Sequence, residues 1–209
     1  MNRGLSGVRA DQKRSYRSLE KYAHVIREHL KLAPLDSLNA LQLFENLDEI
    51  SITTNDGKEI PFRSGVVALE DSEGYTRYDR SRNVVEMLAS QETYERLESG
   101  HPRAVYFVAH ELGHCVLHTD QLVRLAKMPT QQLAAHHRGR ADHKTYEDTE
   151  WQANAFASAL LMPAEGIQSL EEKYRTISPA LLVMQFRVSI EAAGYRVELY
   201  RERKDELLG

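Results

Sequence analysis

The sequence predicts an α+β fold in which a small sheet packs on a histidine-bearing helix, with helical additions at both ends. Three observations lead there. Apolar residues recur at helical spacing near both termini. A stretch from 49 to 89 alternates in strand fashion between turn residues. His110-Glu111-Leu112-Gly113-His114 lies inside a further helical run.

Taken in order, residues 1–12 are polar and read as a frayed end. Lys13 to Leu32 keeps helical spacing through Tyr16, Leu19, Tyr22, Ala23, Ile26 and Leu30, and Pro34 stops it. Asp36 or Ser37 is positioned to cap a second short helix through Leu38, Leu41, Leu43 and Leu47. Glu49–Thr54 and Lys58–Phe62, joined by Asn55-Asp56-Gly57, predict a hairpin, with Pro61 placing the second strand at an edge or ending it early. Gly65–Glu70 and Asn83–Ala89 predict two more strands, separated by a turn at Asp71-Ser72-Glu73-Gly74. Ser90 caps a short helix that ends at Gly100.

The next helix is expected from Pro102 to His118. Pro102 suits its first turn, and Val105, Val108, Leu112 and Val116 form a stripe roughly opposite the histidines. Histidines four apart share a helix face and can grip one metal ion, and Glu111 beside the first is placed to act as a general base. A solvated helix carrying two surface histidines would give the same pattern, so the context decides.

A catalytic zinc takes three protein ligands and keeps one position open. Glu147–Met162 predicts a second, mostly buried helix with small residues Ala153, Ala155, Ala157 and Ala159 on it, closed by Pro163. Glu150 is assigned as the third ligand. Asn154, one turn on, either hydrogen-bonds a metal-binding histidine or bonds between the helices. Glu147 is the runner-up ligand, though it and Asp148 read more simply as solvated carboxylates at a helix start. His118 is four beyond His114, but three histidines on one stripe span about 12 Å, too far for one ion. It is instead a helix-end cap, a substrate-side hydrogen-bonding group, or a support behind the ligands. Cys115 reads as a small apolar filler. His136, His137 and His143 fall in a polar stretch, 130–146, expected to be a loop.

Ala109–His114 with Leu117-His118, and Glu150–Ala157 ending in Leu160-Leu161-Met162-Pro163, resemble the ImmA/IrrE metallopeptidases over roughly residues 84–163. The resemblance implies a minimal zincin-like fold and an intracellular zinc endopeptidase. It would hold one zinc per chain on His110, His114 and Glu150, with Glu111 as base. Its substrate would be a DNA-binding repressor or antitoxin-like regulator, linking it to stress response and transcription regulation. The helix-turn-helix domain that often precedes such peptidases is not convincingly present in the first 50 residues.

After Pro163, Gly166–Tyr174 continues as helix. Ser178-Pro179 then opens Ala180–Phe186, and Ser189 caps a short helix Ile190–Tyr195 carrying Gly194. This pair is similar to a helix-turn-helix, with Arg187, Arg196, Arg201, Arg203 and Lys204 lending basic character. Packing on the catalytic part is preferred over DNA binding. The expected organisation is an N-terminal helical segment (1–48), a catalytic domain (49–174) and a C-terminal helical tail (175–209).

Composition narrows the alternatives. A net charge of −4 gives no bulk attraction to nucleic acid. No apolar run is long enough to span a membrane, and the first residues lack a signal-peptide core. One cysteine excludes an internal disulfide and fits the reducing cytoplasm. The rival functions are a metal-holding protein that binds a partner without cutting it, and a DNA-binding regulator using the tail. For either tyrosine, Tyr146 or Tyr195, a role in stabilising an oxyanion is secondary to an ordinary aromatic one.

Overall fold

The structure, a computed structural model, describes residues 8–128 and 143–209. Helix α1 (Tyr16–His29) starts where the Ser15 side chain accepts the Ser18 N–H. Helix α2 (Ala40–Glu45) is capped by Asn39, not by Asp36 or Ser37, and a 3₁₀ turn (Leu47–Glu49) leads to the sheet. Strands β1 (Ser51–Thr53), β2 (Glu59–Val67), β3 (Gly74–Asp79) and β4 (Val84–Ser90) follow, then α3 (Gln91–Glu98), capped by Ser90 as expected. Helix α4 (Pro102–Ala126) carries the histidine motif. A 3₁₀ turn (Thr145–Glu147) precedes α5 (Thr149–Leu161), α6 (Ala164–Tyr174), α7 (Pro179–Phe186) and α8 (Ile190–Leu208). The result is the α+β class, with a mixed sheet and helical additions, consistent with a small zincin-like fold.

The four strands lie in the order β1-β2-β4-β3, with β2 and β4 parallel and the outer pairs antiparallel. The two expected strands at 58–62 and 65–70 are one strand, β2, and it is interior. Pro61 neither ends it nor forces it to an edge. The Phe62 N–H points to Ile50 on the β1 side, so the Pro61 nitrogen faces the other way, and the β4 ladder begins only at Phe62. Strand β3 was not expected, and it supplies the edge next to α4. It begins at Gly74, whose φ of +151° brings the backbone against the Leu88 carbonyl and the Phe107 ring, leaving no room for a Cβ.

Helix α4 lies between the sheet and α5, so it is buried on most sides instead of along one stripe. It also runs two turns beyond His118. The contact between α4 and α5 is close because Gly113 faces Ala153, where an added Cβ would stand 3.1 Å from the Ala153 Cα and from the Phe156 ring. With Ala153 and Ala157 fully buried, this small-residue seam brings the first turn of α5 to the histidine face of α4.

The first described residues and α8 are both tied to this pair. Of the stretch expected to fray, residues 1–7 lie outside the described residues and 8–12 are bonded: Ala10 N–H donates to the Glu147 carbonyl (2.7 Å), Thr149 N–H to the Val8 carbonyl (3.1 Å), and Gln121 bonds Arg9 and Asp11 backbone groups. Helix α8 continues to Leu208 where only a short helix was expected, and it packs on α1, α6 and α7. Arg196 is buried there, donating to the Met162 carbonyl (2.9 Å) and to Glu20 (2.5 Å). Among the described residues no helix is long and apolar enough to cross a membrane.

Candidate metal centre

His110 and His114 project from adjacent turns of α4, and Glu150 meets them from the first turn of α5. The two Nε2 atoms are 3.1 Å apart, with a Glu150 carboxylate oxygen 3.3 Å from each. Neighbouring ligands of a tetrahedral zinc with bonds of about 2.0–2.1 Å stand roughly 3.3 Å apart, so the spacing fits such an ion. Two imidazoles and one carboxylate are also a donor set that zinc accepts, with the partly open side leaving a fourth position. Among the described residues these three form the group able to hold a metal. The side chains are about 15% exposed for each histidine and 35% for the glutamate.

The electrostatics follow from the packing. The adjoining His110 and His114 imidazoles hold the Glu150 carboxyl well below the usual carboxylate range, against the opposing effect of burial. Burial disfavours the charged form of His110, but Glu150, Glu111 and Asn154 outweigh it and raise its pKa. The site therefore favours positive charge, which a divalent cation supplies.

The far side of each ring is also engaged. His110 Nδ1 lies 3.1 Å from Asn154 Oδ1, which in turn accepts from the Tyr106 hydroxyl at 3.0 Å. Of the two alternatives for Asn154, it contacts the histidine and bridges the helices at once. His114 Nδ1 lies 3.1 Å from His118 Nδ1, and His118 Nε2 lies 3.1 Å from Gln152 Oε1. His118 is thus neither a helix-end cap nor a substrate-side group. It is 4% exposed, well inside α4. Its burial, together with His114, depresses its pKa to about 3, so it is neutral.

Glu111 is buried against the sheet, and the Thr76 hydroxyl of β3 donates to its Oε2 at 2.7 Å. Cys115 is fully buried nearby, its thiol pushed up by desolvation, in keeping with a filler. Thr76 and Gln152 were missed as site residues. The only sequence signals for them were alternation through Tyr75-Thr76-Arg77-Tyr78 and a lone long polar side chain amid small residues on the Glu150 helix.

The competing carboxylates turn away. Glu147 is not solvated: it is buried in the 3₁₀ turn, paired with Lys13 (2.9 Å) and near Arg9 (3.4 Å). Asp148 is also buried. It caps α5 through the Trp151 N–H (2.9 Å) and contacts His143 at 3.0 Å. His136 and His137 lie outside the described residues. The Tyr146 ring sits beneath the Lys13 and Lys144 ammonium groups, and Tyr195 is 55% exposed on α8.

Residues 101–198 match the family model Peptidase_M78, described as the IrrE N-terminal-like domain. No curated protein matches the chain. Among solved structures, a Mycobacterium tuberculosis transcriptional regulator aligns with a TM-score of 0.47 and 21% identity over 84% of this chain. The chain spans 45% of that protein's length. The matched stretch runs from the first turn of α4 into α8 and contains His110, His114 and Glu150, so it is the part of the chain bearing the candidate metal centre that is similar to the IrrE N-terminal-like domain.

Proposed function

We propose that this protein is a cytoplasmic zinc-dependent endopeptidase that cuts a specific protein partner, a DNA-binding repressor or antitoxin-like regulator, in a stress or transcriptional response. The observation that carries the reading is the convergence of His110, His114 and Glu150 on one point, with Glu111 on the same helix. The match to a peptidase family supports it. The ligands would hold one zinc ion per chain. We assign the machinery to residues 49–174, with 1–48 and 175–209 as supporting helical segments.

When bound, zinc supplies a Lewis acid that polarises the scissile carbonyl and acidifies water. The protein's own contribution is positional. Asn154 and His118 hold the two rings, the α4–α5 seam holds Glu150 to them, and Thr76 holds Glu111. Glu111 takes the proton from the attacking water and passes it to the leaving amine.

The DNA-binding alternative loses support from the tail. Arg196 is buried on Glu20, Arg201 donates to the Ile177 carbonyl, Arg203 pairs with Glu206 and Lys204 with Glu171. Three of these cations are paired with carboxylates and Arg201 is held on a backbone carbonyl, which weakens the case for a phosphate-binding face.

Glu111→Gln tests the assignment. A proteome-derived peptide library digested with wild-type protein and read by mass spectrometry should show zinc-dependent cleavage. The variant should lose about 10²–10⁴-fold in rate while keeping its zinc. Equal cleavage by the variant would remove Glu111 as base. Absence of cleavage by the zinc-loaded wild type would favour a non-catalytic, partner-binding protein.

A further inference from the structure

We propose that Gln152, acting through His118, fixes the tautomer of His114 and so presents its Nε2 lone pair to the metal. The proposal rests on the reading of His110, His114 and Glu150 as a metal centre and extends it inward by two residues.

The fixed end of the chain is Gln152, which is 0% exposed. Its amide nitrogen donates to the Gln12 carbonyl at 2.8 Å and the Tyr146 carbonyl at 3.0 Å. Backbone carbonyls only accept, so both amide hydrogens are committed and the amide cannot flip. Gln152 Oε1 therefore faces His118 Nε2 at 3.1 Å, and an amide oxygen can only accept. The proton of His118 must sit on Nε2.

A buried imidazole bonded to an amide and another imidazole, with no carboxylate of its own, is neutral and has a single N–H. His118 Nδ1 is then an acceptor. It stands 3.1 Å from His114 Nδ1, which must donate to it. His114 thereby spends its one proton on Nδ1, and its Nε2 keeps a lone pair aimed at His110 Nε2 and Glu150. Run backwards, the chain would put a hydrogen on His114 Nε2 and close that position to a metal. The direction is set by two carbonyls, one from the segment before α1 and one from the turn before α5.

Partners behind a metal-binding histidine typically change metal affinity by about 10–100-fold. Zinc affinity of the full chain, measured by competition with a fluorescent chelator, should fall by that factor in Gln152→Leu and in His118→Phe. Nitrogen-15 histidine NMR of the wild type supplies a readout that needs no substitution. His118 should carry its proton on Nε2, and His114 on Nδ1 when zinc is bound. Affinities in folded variants within about twofold of wild type would overturn the proposal. So would a His118 protonated on Nδ1, even where the variants fail to fold. A wild type that takes up no zinc overturns the metal-centre reading and this proposal together, whereas zinc-binding wild type with unaffected variants overturns this proposal alone.

Discussion

Thr76 of β3 bonds the Glu111 carboxylate, and its hydroxyl hydrogen is spent on Oε2 at 2.7 Å. Replacing it with valine keeps shape and β-branching but leaves Glu111 without that tether. A displacement of about 1 Å at a reacting group costs on the order of 10²-fold in rate. Thr76→Val should therefore lower kcat/KM by about 10–100-fold with zinc content unchanged, and Thr76→Ser should recover most of it. Peptide-library cleavage together with metal analysis checks this; loss of zinc in the valine variant would instead make Thr76 part of the scaffold. The contrast between Thr76 and the ligands explains what the sequence made legible. His110 and His114 are related by a local helical repeat, as are Glu150 and Asn154, so spacing alone places each pair on a face. Thr76 meets Glu111, and Gln152 meets His118, only through strand register and helix approach, across 35 and 34 residues.

The seam between α4 and α5 is where element packing controls the site. Gly113 has no space for a larger side chain against Ala153 and Phe156, whereas nothing lies within 4 Å of where a Cβ would fall at Gly194 in α8. Two glycines in helices thus make opposite predictions. Gly113→Val should destabilise by about 1–3 kcal/mol through overpacking and weaken zinc binding, because it pushes Glu150 away from the histidines. Gly194→Ala should stabilise by up to about 1 kcal/mol through helix propensity, with zinc binding untouched. Urea unfolding and chelator competition on the two variants read both effects. At this scale the sequence was a partial guide. Caps at Ser90, Ser178 and Ser189 were legible because capping is local. Strand β3 was not, because its burial alternates only weakly and its pairing with β4 supplies the order. The α4 and α8 helices outran their expected ends because polar residues there are satisfied by distant partners, as Gln121 is by Arg9 and Asp11, and Arg196 by Glu20.

Across the whole molecule, the buried Arg196–Glu20 pair joins α8 to α1, with the Arg196 side chain only 1% exposed. Removing one member of a buried pair strands the other and typically costs about 3–5 kcal/mol. Arg196→Met should lower unfolding free energy by that order, and the metal site and the tail should still melt in one transition. Two separate transitions, seen by circular dichroism and by zinc release, would mean that the tail is an independent unit. The same long reach bears on how the candidate metal centre is assembled. One carbonyl that orients Gln152 belongs to Gln12, and α1 is locked by an arginine 176 residues later. During synthesis, His110, His114 and Glu150 leave the ribosome before Arg196 does. The nascent chain thus carries these three side chains before it has the frame that seats them, and the assembled site waits for Arg196 to emerge.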